Sequence, residues 1–119
     1  MHNVRLNPIQ AKVEEAHQNP TAASLDFSFE GTWHTEKDNV QFSGDVAFPQ
    51  GELTLSADFP PFLGGEGRAP SALTYCFFGA LSCYGSTFAT QAAMAGVKLD
   101  AMTISLDLGV DFRAALGVG

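Results

Sequence analysis

The chain has 119 residues, 45% of them apolar, with ten Phe and a formal charge of −7 at neutral pH. That length fits one domain with a real hydrophobic core, and an acidic chain with no basic cluster argues against nucleic acid and anionic membranes as partners. Two cysteines are too few for a disulfide scaffold.

The N-terminus lacks a basic region followed by an apolar run and a small-residue cleavage site, so a cytoplasmic location with reduced thiols is expected. Asn19-Pro20-Thr21 imitates a glycosylation sequon, but the central Pro disqualifies it. Residues 7–18 read as a short amphipathic helix. Asn7 suits the N-cap, Pro8 the first position and Gln10 the third, a capping-box arrangement. Ile9, Val13 and Ala16 supply a thin apolar face, and Asn19-Pro20 ends the helix. His2 and His17 read as surface residues.

Leu25, Phe27, Phe29, Gly31 and Trp33 alternate with Ser24, Asp26, Ser28, Glu30 and Thr32, which predicts a half-buried strand. Glu36-Lys37-Asp38-Asn39 reads as a turn. A second strand carries Val40, Phe42, Val46 and Phe48, with Gly44 expected at a bulge. After the turn Pro49-Gln50-Gly51, a third strand carries Leu53, Leu55, Ala57 and Phe59. Three sequential strands with short connections predict an antiparallel meander with one buried face. Pro60–Ala69 is a Pro- and Gly-rich loop.

No charged residue lies between Arg68 and Lys98, and both cysteines fall in that interval. A membrane span, two buried strands and one long buried helix all compete for it. Ser71, Thr74, Ser82, Ser86, Thr87, Thr90 and Gln91 dilute its apolarity against the membrane reading. Pro70 suits a first turn and Gly96 a C-terminal cap, so a helix is expected. At 100° per residue, Cys76, Gly79, Ala80, Cys83, Ser86, Thr87, Thr90 and Met94 form a stripe of mostly small residues. Leu73, Phe77, Leu81, Tyr84 and Phe88 form a large apolar stripe. The pair of stripes predicts a helix sandwiched between a sheet and a second helix. Beyond it, Met102, Ile104, Leu106, Leu108 and Val110 alternate with polar or small residues, which predicts a fourth strand. The fold class expected is α+β.

Four stretches in order carry a family likeness: Arg68-Ala69-Pro70-Ser71-Ala72-Leu73-Thr74-Tyr75 opening a helix, Ala80-Leu81-Ser82-Cys83 within it, Ala95-Gly96-Val97-Lys98-Leu99-Asp100 after it, and Asp111-Phe112-Arg113-Ala114 closing a strand. With the meander before them, they resemble the OsmC/Ohr family in its broader OsmC-like branch. The resemblance covers essentially the whole chain. It implies an intertwined homodimer of α+β subunits around a central helix, with no cofactor or metal. It also implies reduction of an organic hydroperoxide by a peroxidatic helix cysteine, with a thiol reductant closing the cycle. Cys83 matches the position of that cysteine. The family's Glu near the helix start is not matched, since Leu73 and Thr74 stand there. Its resolving cysteine would lie beyond Gly119, so the chain is expected to be about two-thirds of a family member.

A peroxidatic thiol needs a lowered pKa, because the thiolate is the nucleophile. Arg68 and Arg113 are the cations considered for that role across a dimer, and Thr74 and Cys76 the neighbours on the helix. Cys76 and Cys83 lie about 10.5 Å apart along one helix, beyond the ~7 Å Cα separation a disulfide spans. They therefore cannot pair within one chain. The rival reading is a non-catalytic dimeric binding or structural protein with inert buried cysteines. His34, Glu36 and Asp38 alternate as a metal-binding set could, but they read better as a continuation of the polar face of the first strand. Gly64-Gly65-Glu66-Gly67 lacks the lysine and spacing of a phosphate loop.

Overall fold

The computed structural model describes residues 3–119; His2 lies outside them. The fold is α+β, with two helices and a three-stranded antiparallel sheet. The chain divides into two compact units. One holds the N-terminal helix and Ala80–Ser105, the other Ser28–Gly79 and Leu106–Gly119.

Helix α1 spans Leu6–Gln18. The expected capping box does not form: Asn7 lies inside the helix, and the extended Arg5 precedes it without a side-chain cap. Pro8 still falls in the first turn, where a missing N–H costs nothing because those donors lack intrahelical partners. Asn19 closes the helix by donating its N–H to the Glu15 carbonyl at 2.9 Å, and Pro20 starts a 3-10 turn over Pro20–Ala23. His17 is exposed in the last turn.

The sheet has the expected antiparallel order, with strands β1 (Thr32–Trp33), β2 (Phe42–Phe48) and β3 (Gly51–Ala57) in the order β1-β2-β3, but the expected buried face is not found, since Trp33, Phe42, Phe48, Leu53 and Leu55 are all exposed. Its register runs from Phe42↔Ala57 to Phe48↔Gly51 without interruption. Period-two alternation therefore puts Phe42, Val46, Phe48, Leu53 and Leu55 on one apolar face. Ser43, Asp45, Thr54 and Ser56 share the other, where the Thr54 hydroxyl donates to Asp45 at 2.5 Å. The expected bulge at Gly44 is absent, since Gly44 pairs directly with Leu55. Glycine is needed there for another reason: a Cβ would stand 2.6 Å from the Glu30 carbonyl oxygen. The first strand is much shorter than its alternation predicts. Its ladder with β2 covers Thr32↔Ser43 and Trp33↔Phe42.

Helix α2 spans Ala72–Met94, 23 residues, two residues inside the start expected at Pro70. The Ser71 hydroxyl accepts the Thr74 N–H at 3.3 Å, and the Ser71 carbonyl accepts that of Tyr75 at 3.3 Å. The first satisfies one of the donors that every helix start leaves open, and the second is the helix's first i→i−4 bond. The far end is capped as expected. Gly96 sits in the left-handed region at φ 76°, Val97 N–H donates to Ala92 O at 2.8 Å, and Gly96 N–H donates to Ala93 O at 3.1 Å. That pair of bonds is a Schellman closure. No helix among the described residues is long and apolar enough to cross a membrane.

Two expectations fail in the second half of the chain. The first is the fourth strand: residues 101–112 hold no regular structure. Alternation supplies the side-chain pattern of a strand but not a neighbour to bond with, and no strand pairs with this segment. The second is the buried central helix. Ala93, 5% exposed, is the only buried residue of α2. The covered side of its second half is Leu81, Gly85, Ala89, Ala92 and Ala93, not the expected two stripes. A Cβ on Gly85 would lie 3.2 Å from Ile104 Cδ1. Tyr84 is 64% and Phe88 50% exposed, and Cys76, Gly79, Ala80 and Cys83 are exposed with them. The chain also closes on a turn rather than trailing off, with Val118 N–H donating to Arg113 O at 2.8 Å and Gly117 at φ 73°.

Candidate functional site

Cys83 sits mid-way along α2, in its fourth turn, and is exposed as a free thiol. Beside it a hollow of about 580 Å³ is lined by Ala80, Cys83, Tyr84, Thr87, Phe88 and Gln91. Helical spacing produces this set, because residues three, four and seven apart stack on one side. The walls are the Tyr84 and Phe88 rings, and the polar groups are the Thr87 hydroxyl and the Gln91 amide. No charged residue lines the hollow. It suits a small, largely apolar molecule with one or two polar atoms.

The residues expected to support Cys83 are placed elsewhere. The Thr74 hydroxyl lies 3.1 Å from that of Ser71, at the start of α2. The Arg113 guanidinium grips Asp111, with Nη2 to Oδ2 at 2.6 Å and Nε to Oδ2 at 2.8 Å. These bonds hold the Asp111 carboxyl below the ordinary carboxylate range. Arg68 takes part through its backbone N–H, which donates to Asp58 Oδ2 at 3.0 Å. Cys76 is exposed one heptad before Cys83. None of these four residues lines the hollow at Cys83.

Sequence reasoning missed the most ordered polar centre, Asp58. It is 3% exposed and the only buried polar side chain among the described residues. Its carboxylate accepts backbone N–H groups from Gln41 (3.2 Å), Glu66 (3.2 Å) and Arg68 (3.0 Å). Its own N–H donates to Pro70 O at 3.2 Å. The Arg68 bond, then those of Glu66 and Gln41, lower the Asp58 pKa, while burial works the other way. The Gln41 side chain adds a second tie, accepting the Phe59 N–H at 2.9 Å and donating to Gly64 O at 3.4 Å. Together they fold the Pro60–Ala69 loop, with its 3-10 turn Pro61–Leu63, against the end of β3. The available signal was an Asp at the point where alternation stops and a Pro/Gly loop begins.

A second hollow, of about 440 Å³, lies on the apolar face of the sheet between Phe29, Phe42, Val46, Leu55, Ala72 and Tyr75. Tyr75 fixes the first turn of α2 to the sheet by donating its hydroxyl to Ser56 O at 2.6 Å. His34, weighed for a metal, instead has its Nε2 2.6 Å from the Ser43 hydroxyl, its diagonal neighbour on the polar face. Among the described residues no three His, Cys, Asp or Glu gather at metal-binding distance. No protein-family model matches the chain, and no curated protein is significantly similar to it.

Proposed function

We propose that this chain acts in the cytoplasm as an OsmC-like homodimeric thiol peroxidase, with Cys83 reducing an organic hydroperoxide. The observation that carries the reading is the exposed Cys83 thiol at the edge of a 580 Å³ aromatic-walled hollow. Such a hollow favours the organic part of a hydroperoxide over hydrogen peroxide, because Tyr84 and Phe88 offer apolar surface to bury. In the reaction the Cys83 thiolate attacks the terminal peroxide oxygen. The S–O bond forms as the O–O bond breaks, the alcohol leaves with a proton, and a sulfenic acid remains on Cys83. One thiol of a dithiol reductant then condenses with the sulfenic acid, releasing water and forming a mixed disulfide, and its second thiol displaces Cys83 as the free thiol and leaves as the oxidised disulfide. A cation at the thiol would come from the partner subunit, and Arg68 and Arg113 are the residues assigned to it.

The test is consumption of cumene hydroperoxide with a dithiol reductant, comparing the chain with its Cys83→Ser variant. Turnover that disappears in the variant supports the reading; equal or absent turnover in both refutes it. One observation favours a second reading, a non-catalytic dimer whose cysteines only pack: the hollow has no cation to stabilise a thiolate. Thiol-modification kinetics separate the two. An activated Cys83 reacts with iodoacetamide at neutral pH about tenfold or more faster than Cys76, and an inert one reacts at the same rate.

A further inference from the structure

A third hollow, of about 440 Å³, opens between the β1–β2 connection and the Pro60–Ala69 loop. It shares no lining residue with either hollow described above. Its floor is fixed by the Gln41 and Asp58 bonds already described, and the His34 N–H adds one more, donating to Gln41 O at 2.7 Å. Asp58 spends its carboxylate on three backbone N–H groups, so it shapes the floor and is not a free ligand. A site built before anything binds avoids the cost of ordering it on binding.

The rim is different. Trp33 is 55% exposed, and Glu36, Lys37, Asn39 and Glu66 are exposed beside it. Among the described residues, no hydrogen bond or ion pair engages the side chains of those four. Gly64 and Gly65 contribute backbone alone, which leaves the space unfilled. We propose that this hollow binds the pyranose ring of a neutral sugar, with one face of the ring on the Trp33 indole and its hydroxyls on Glu36, Lys37, Asn39 and Glu66.

Three features select that chemistry. A pyranose with equatorial hydroxyls presents axial C–H groups on its faces, and an open indole is the flat apolar surface that buries them. The four free side chains mix acceptors with donors: Glu36 and Glu66 accept, Lys37 donates, and the Asn39 amide does both. A sugar hydroxyl also donates and accepts, so such a mixture satisfies it fully. The charges are mixed too. An ammonium ligand would meet Lys37, and an anion would meet two carboxylates. A divalent metal is not served either, since no three His, Cys, Asp or Glu gather among the described residues. The volume lies within the range of about 300–1,000 Å³ usual for small-molecule sites.

Trp33 is the only tryptophan of the chain, so its fluorescence reports on the site directly. The test titrates the full chain with methyl β-D-glucoside, methyl β-D-galactoside, methyl α-D-mannoside and N-acetylglucosamine. The expected result is a saturable blue shift with at least one of them, half-complete on the order of 1 mM. Asn39→Ala and Glu66→Gln each weaken that binding about three- to tenfold. Both replace exposed side chains with no partner in the fold, so thermal unfolding of the variants stays close to that of the parent. Trp33→Ala, followed by ligand-observed NMR because the fluorophore is gone, abolishes binding, and Trp33→Phe retains part of it. Three outcomes overturn the proposal: no saturable change with any of the four sugars, binding unchanged in both Asn39→Ala and Glu66→Gln, or tighter binding of putrescine or inorganic phosphate than of every sugar.

Discussion

Gly65→Ala measures how firmly the loop before α2 is locked. A Cβ at this position would lie 2.6 Å from Phe59 C and 2.7 Å from Phe59 N, with the Phe59 carbonyl oxygen closer still. Ordinary carbon contacts lie at about 3.5–4.0 Å. The obstructing atoms are all backbone, so the loop must move by about 1 Å. That movement puts two bonds at risk, Gly67 N–H to Phe59 O at 3.0 Å and Gly65 N–H to Pro60 O at 3.3 Å. At about 0.5–1.5 kcal/mol per bond, on top of about 1 kcal/mol of overpacking, the variant loses about 2–4 kcal/mol. For a domain of this size that lowers Tm by roughly 10 °C. The assay is thermal unfolding by circular dichroism at one fixed protein concentration, since association would shift Tm by itself. Gly64→Ala is the control: its site is open, and only its φ of 95° disfavours a side chain, which costs about 1 kcal/mol. If Gly65→Ala falls by less than Gly64→Ala, the steric reasoning is wrong.

Asp58 makes the same loop sensitive to acid. Its folded pKa is lowered, so its stabilising contribution is complete above the ordinary carboxylate range and is lost as pH falls through the lowered value. Urea titrations from pH 6 to pH 2 therefore show a loss of stability in acid that Asp58→Asn flattens; parallel profiles would refute the assignment. Tyr75→Phe removes the hydrogen bond from the helix start to the sheet, Tyr75 to Ser56 O, and costs about 1 kcal/mol. An unchanged urea midpoint in Tyr75→Phe would show that this hydroxyl is as well satisfied by water.

Helix α1, the β2–β3 hairpin and the Gly96 stop were legible because each depends on local rules. Pro8 fixes a first turn, alternating Leu53 and Leu55 meet alternating Gly44 and Val46, and Gly96 takes the φ its cap requires. The long helix was legible too, but not its covered side. Wheel geometry says which residues stand together; it does not say which face finds a neighbour. Here Gly85 meets Ile104, and the large Tyr84 and Phe88 remain in solvent. Alternation from Leu25 and from Met102 overpredicted strands for the same reason, since a ladder needs a second strand. At the site, the sequence located Cys83 but not the Tyr84–Phe88–Gln91 hollow, which requires the helix to be built first. Asp58 escaped because three backbone donors converge on it from positions 41, 66 and 68, and that convergence has no motif.

Strand β3 is an edge of its sheet, and it runs seven residues with Glu52 as its only charge and no proline. Native sheets usually guard such an edge with lysine, proline or a bulge. Left bare, it is a template for mispairing during synthesis and at high expression. Recovery of native protein should therefore fall as expression level rises, while the stability of the molecules that do fold is unchanged.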